Sequence, residues 1–66
     1  MGKTVSSKAA IAAIEADGWF EVSHDGSHKN FKHPTKPGRT TVPHPRKEIA
    51  IGTIKSIERQ SGVKLR

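Results

Sequence analysis

Apolar positions change their period twice along the chain. Ala10 and Ile14 stand four apart, and Ile11 and Ile14 three apart, which puts one apolar stripe on a helix. The surrounding alanines, Lys8 and Glu15 are good helix formers. Ser6 or Ser7 offers an N-cap oxygen, and Gly18 follows as the residue that takes a left-handed backbone at least cost. A first helix is therefore predicted over Ser7–Asp17. After Gly18 the residues turn aromatic and β-branched, so Trp19–His24 predicts a strand. Asp25-Gly26 signals a hairpin, and residues 28–33 return as a second strand stopped by Pro34. Thr35-Lys36-Pro37-Gly38 predicts a turn, and Arg39–Val42 a third strand ended by Pro43 and Pro45. The helical period then resumes. Ala50, Ile54 and Ile57 fall at i, i+4 and i+7, with Ile51 beside them, which predicts a second helix over Lys47–Ser61. Glu48 in its first turn would suit the dipole there, and Gly62 with Val63 fits a C-terminal cap. Gly52 costs about 1 kcal/mol relative to Ala inside a helix, which points to close packing at that position. Met1–Ser6 reads as a mobile leader, from which Lys3, together with Lys8, can reach a phosphate backbone.

The order is α-β-β-β-α. Three antiparallel strands covered on one face by two helices are the two-layer solution for that order, an α+β class. The 66 residues suit one domain spanning 1–66, with a thin core, since a chain this short buries only about 60% of its unfolded surface. There is no cysteine, so neither a disulfide framework nor a thiolate metal site is available. No apolar run approaches the roughly 20 residues of a membrane span, and the first residues lack the apolar segment of a signal peptide. A cytoplasmic protein without membrane contact is the expectation.

Charge narrows the partner. Twelve Lys and Arg against six Asp and Glu give +6 and a pI near 10.2. Such an excess on a small domain points to a polyanion, nucleic acid first; the plainer alternative is a basic solvated surface. Alternation along the second strand then sorts the side chains. Phe31, large and apolar among charged neighbours, belongs to the core, and Lys29 and His33 share its face. His28, Asn30 and Lys32 point to the opposite face, which two helices on one side would leave open to a ligand.

Four histidines, His24, His28, His33 and His44, invite a metal reading. Their spacings of four, five and eleven residues match no common zinc template, and no Cys or close carboxylate supports one. Ser27 as a nucleophile would need a base beside it, and its sequence neighbour His28 points the other way on a strand. General acid–base chemistry fits better. Histidine exchanges a proton near neutral pH, and RNA brings its own nucleophile, the 2′-OH. His28 is the candidate catalytic group. Lys29, Lys32 and Lys36 are candidates to stabilise the phosphorane; these three with Arg39 and Lys47 form the expected RNA-binding set. No metal or cofactor is required. Trp19 and Phe20 allow either base stacking or core packing, with packing favoured for Trp19. Pro43-His44-Pro45-Arg46-Lys47 allows either a phosphate site at the second helix's N-terminus or a rigid connection.

The ordered pattern Gly18-Trp19, Gly26-Ser27-His28, Phe31, Val42-Pro43-His44-Pro45, Gly52-Thr53-Ile54 and Gln60-Ser61-Gly62-Val63 resembles HicA, the toxin family of HicA–HicB type II toxin–antitoxin systems, from Ser7 to Val63. The resemblance implies a double-stranded-RNA-binding-domain-like fold and a ribosome-independent mRNA interferase, an endoribonuclease whose Gly-Ser-His histidine, here His28, is catalytic. Gly26 and Ser27 then set the turn and are not chemical groups. It further implies a HicB antitoxin that blocks His28, and promoter DNA contacted only through that antitoxin. The acid for the leaving oxygen is open among His33, His44 and a lysine. Two rival readings share the same residues: a non-catalytic double-stranded RNA binder and a module that covers acidic partner surfaces.

Overall fold

A computed structural model describes residues 4–66. Its elements are α1 (Ser7–Ala16), β1 (Phe20–Asp25), β2 (His28–Lys32), β3 (Thr40–Pro43) and α2 (Ile51–Ser61). The strands form one antiparallel sheet in the order β1-β2-β3. Ala10 and Ile14 of α1, Ile54 and Ile57 of α2, and Phe31 and Val42 of the sheet close one core with Trp19 and Ile49. Both helices therefore cover the face that carries Phe31, and the expected α-β-β-β-α layering holds.

Local chemistry accounts for the boundaries. Ser6 caps α1, its Oγ accepting the Ala9 N–H at 3.1 Å. At the other end Gly18 takes φ +112°, and a Cβ there would lie 2.8 Å from His33 Nε2; the chain must turn here against a side chain, and only glycine permits both. Asp25 and His28 pair directly, so Gly26-Ser27 is a two-residue hairpin loop. Gly26 has φ +58°, and no non-glycine described has positive φ, a pattern that matches a type II′ turn. The first and third strands begin one residue later than the residue types predicted, and the second begins at His28 as predicted but ends one residue earlier. At β1 the shift arises because Trp19 leaves the sheet for the core, where its indole N–H donates to the Ser61 carbonyl at 3.2 Å. Gly62 ends α2 in a left-handed conformation, its N–H donating to the Glu58 carbonyl, and Val63 packs on the core.

Three expectations are corrected. The second helix begins at Ile51, not Lys47. Ile49 instead forms an antiparallel bridge with Val5, donating its N–H to the Val5 carbonyl at 2.8 Å, and this places the Ile49 side chain in the core. Ala50 is exposed in consequence and Ile49 fills the role given to it; Glu48 lies ahead of the helix and accepts from Thr4 Oγ1 at 2.7 Å. The leader is likewise not free over Thr4–Ser6, which the Val5 bridge and the Ser6 cap hold; Met1–Lys3, with the proposed phosphate contact of Lys3, lie outside the described residues. Lastly, a Cβ on Gly52 would meet nothing within 4 Å, so no close approach explains that glycine. Among the described residues no helix is long and apolar enough to cross a membrane.

Candidate active site

Strand register decides what His28 faces. Directly opposed residues share a face, so the pairs Asp25–His28, Ser23–Asn30, Phe20–Lys32, His28–Pro43 and Asn30–Thr41 put all of these on the open face. Phe31, Lys29, Thr40 and Val42 occupy the other. A bulge between Glu21 and Ser23 lets β1 keep this arrangement across an odd residue, Val22. Asn30 was expected to be open beside His28 and is instead nearly buried. Its amide donates to Ser23 Oγ at 3.0 Å and Asp25 Oδ2 at 3.2 Å, and its Oδ1 accepts from Thr41 Oγ1 at 2.7 Å. One side chain thus ties β1, β2 and β3 together two residues from His28.

The edge of β3 carries the other wall. The Thr41 N–H donates to Gln60 Oε1 at 3.0 Å, which holds α2 alongside that strand. Between them lies a cleft of about 250 Å³ lined by His28, Thr41, Pro43, Arg46, Thr53 and Gln60 among others. His28 is exposed, and its ring makes no hydrogen bond to a described residue.

The other histidines differ. His33 Nε2 lies 2.7 Å from the Asp17 carbonyl oxygen, while Nδ1 accepts the N–H groups of Thr35 and Lys36 at 3.1 and 3.0 Å. That pattern fixes the tautomer with the proton on Nε2. Its ring also meets Trp19 edge-on, with centroids 5.2 Å apart. His44 Nδ1 lies 2.7 Å from Ser7 Oγ, and its backbone N–H donates to the Ser27 carbonyl at 2.7 Å. Both therefore hold the structure together: His33 closes the α1–β1 corner, and His44 joins the hairpin tip to the start of α1. His24 is exposed but pairs with Lys29 and so lies on the face away from His28.

The expected cations separate in the same way. Lys29 sits on the helix-covered face and pairs with Glu21 at 3.2 Å. Lys36 Nζ lies 2.6 Å from Asp17 Oδ2 and donates to the Ser61 carbonyl at 3.1 Å, joining the C-terminal ends of α1 and α2. The Lys36 ammonium beside it holds the Asp17 carboxyl below its ordinary range. Lys32 is exposed on His28's own face; Arg39 is exposed ahead of β3; Lys47 is exposed and lines a different hollow with Ser6, Ser7 and Lys8. Gly26 and Ser27 form the turn that presents His28. Of the two aromatic candidates, Trp19 is buried and Phe20 is 49% exposed, opposite Lys32. The Pro43–Lys47 segment does not sit at the N-terminus of α2, which starts four residues beyond Lys47; it is bound to Ser7 instead. Arg46, Thr41, Thr53, Ser56 and Gln60 were absent from the expected set. Arg46 had a signal in the sequence as part of the basic Pro43–Lys47 cluster, and Thr53 and Gln60 stood in the family pattern without an assigned role; Thr41 and Ser56 are brought to His28 only by tertiary packing.

Comparison with known proteins bears on the fold and the family. The family model described as HicA toxin of bacterial toxin-antitoxin matches residues 7–63. A chain in the solved structure of a HicA3 and HicB3 toxin-antitoxin complex superposes with a TM-score of 0.72 at 29% sequence identity, over 94% of this chain and 100% of that one. No curated sequence matches this chain. The matched span takes in α1, the hairpin with His28, and α2, and on these grounds the chain belongs to the HicA toxin family.

Proposed function

We propose that this protein is the toxin of a toxin–antitoxin pair and cleaves mRNA as an endoribonuclease, with His28 as general base. The observation that supports this most is the sorting of the histidines. His33 and His44 are engaged in holding the fold, whereas His28 stands exposed at the mouth of a cleft. Its proton-accepting nitrogen is available to a substrate, which is the first geometric need of a general base.

In the proposed step, His28 takes the proton of a ribose 2′-OH. The 2′-oxygen attacks the adjacent phosphorus, the bond from phosphorus to the 5′-oxygen breaks, and that oxygen takes up a proton. The products are a 2′,3′-cyclic phosphate and a 5′-hydroxyl. The nucleophile comes from RNA itself, so the reaction needs no metal, and activity in excess chelator is the expectation. RNA enters along the open face. Lys32 is placed to meet phosphate there, which positions the strand without reading its sequence, and Phe20 offers an aromatic surface beside it for base stacking. Arg39 and Lys47 are exposed and add to the basic surface of the domain. His33 is not available as the acid for the leaving oxygen, since both of its ring nitrogens are in use.

The HicA3 chain is found in complex with HicB3, and we take the partner of this chain to be a HicB-type antitoxin that covers the open face and blocks His28. Contact with promoter DNA would run through that antitoxin. Expression in a bacterial host tests the reading: the parent arrests growth, His28→Ala does not, and co-expressed antitoxin relieves the parent. Equal arrest by His28→Ala would remove His28 from the chemistry. Tight RNA binding without cleavage by the parent would favour the non-catalytic double-stranded RNA binder.

A further inference from the structure

Cleavage at phosphorus builds negative charge on the phosphorane oxygens, and a base alone does not stabilise it. The lysines nearest His28 in sequence do not meet that need. Lys29 lies across the sheet, paired with Glu21. Lys36 is held by Asp17 and Ser61. Lys32 shares the open face but stands four residues along β2, about 13 Å away at the usual strand rise. Among the residues that line the His28 cleft, Arg46 is the one with a permanent positive charge.

Its position is set from behind. The Arg46 N–H donates to Ser7 Oγ at 2.9 Å, and the Arg46 carbonyl accepts the Ser7 N–H at 2.9 Å. Ser7 is buried, at 1% exposure, and its Oγ also meets His44 Nδ1. The backbone of Arg46 is thus anchored to the first residue of α1, while its side chain is exposed and makes no ion pair with a described residue. A guanidinium is always charged, is weakly hydrated and presents donors in a flat fork that matches two phosphate oxygens. Basic side chains are common in this chain, but this one is rooted on a buried hub and lines the same cleft as the base, at its border with the hollow beside Ser7 and Lys47.

We infer that Arg46 is a catalytic residue of this site: it holds the scissile phosphate by a two-pronged contact and stabilises the phosphorane that forms when the 2′-oxygen attacks. The inference rests on the endoribonuclease reading of His28 and adds the charge that reading lacks. It also gives the Val42-Pro43-His44-Pro45 segment a purpose. That segment carries the chain from β3, past the hairpin tip that presents His28, to the Ser7 hub that presents Arg46.

Single-turnover cleavage of a short RNA with purified protein tests it. Arg46→Gln removes the charge, keeps much of the shape, and leaves both backbone bonds to Ser7 in place. The expected loss in rate at saturating protein is about 10²-fold, the scale of losing one donor to a developing oxyanion. Arg46→Lys should recover part of that loss. Binding of the same RNA carrying a 2′-deoxyribose at the cleavage site, which cannot react, should change only a few-fold, and that binding also reports that the variant is folded. Arg46→Gln cleaving at the parent rate while His28→Ala is inactive would overturn the role of Arg46 and leave His28 standing. A loss confined to affinity, with the saturated rate unchanged, would also overturn it. A parent protein that cleaves no RNA would remove both assignments together.

Discussion

At position 40 the chain buries a hydroxyl with no partner: Thr40 is fully buried on the core face, and its Oγ1 finds no hydrogen bond among the described residues. An unsatisfied buried hydroxyl costs roughly 1–3 kcal/mol. Thr40→Val keeps the shape and removes the group, so it should stabilise the protein by about 1 kcal/mol, read as a higher midpoint in thermal or urea unfolding; a lower midpoint would mean that the hydroxyl has a partner. Asn30 is the opposite case. It is as polar and nearly as buried, yet three bonds to Ser23, Asp25 and Thr41 use its amide. Asn30→Leu should cost on the order of 2 kcal/mol, because it strands those partners on the sheet. Residue type and alternation alone were enough to place Phe31 inside and His28 outside. They could not show that Asn30, on the same face as His28, would be covered, because its burial comes from groups on two other strands.

Among the elements, the corner between α1 and β1 depends on a glycine most directly. Gly18 has φ +112° and His33 Nε2 stands where a Cβ would go. Gly18→Ala therefore combines backbone strain of about 1–2 kcal/mol with displacement of the His33 ring from the Asp17 carbonyl. A loss of about 2 kcal/mol, on the order of 10 °C in midpoint for a domain this small, is the expected outcome; a variant as stable as the parent would show that the corner relaxes freely. The start of α2 shows what local signals miss. Lys47–Ala50 suits a helix by composition, and a period read from Ala50 to Ile57 extends back to it. Pairing of Ile49 with Val5, 44 positions earlier, outcompetes that tendency, and nothing within a short window of sequence reports a partner so distant. The hairpin, by contrast, was legible because its turn chemistry is entirely local.

On the scale of the whole molecule, one surface link joins the two helix ends. Asp17, just past α1, meets Lys36, which also binds the Ser61 carbonyl at the end of α2. The Lys36 hydrogen bond lowers the Asp17 carboxyl below its ordinary value, about 3.9 for an aspartate in an unfolded chain. A group whose folded value is depressed adds stability that is complete above the unfolded value and is lost as pH falls towards the folded one. Stability of the parent should thus hold above about pH 5 and decline below pH 4. Asp17→Asn should be less stable than the parent at neutral pH, with the gap closing as the pH drops. A gap that stays constant with pH in urea titrations would separate the Asp17 contribution from its charge.

The same scale limits how far the site could be foreseen. The exposed position of His28 was legible from the turn that precedes it and the face it takes. Its cleft was not, since the walls come from β3, the segment after it and α2, and Arg46 enters only through a contact with Ser7 made 39 positions away. Lys29 and Lys36 were expected near His28 for their place in the sequence, and each found a carboxylate elsewhere. The most direct test of the central claim is cleavage of a defined RNA oligonucleotide by the purified protein and by His28→Ala, with the product ends identified by mass. The parent should yield a 2′,3′-cyclic phosphate and a 5′-hydroxyl, and His28→Ala, folded with an unchanged melting curve, should yield neither. The same products from His28→Ala at the parent rate would contradict the account.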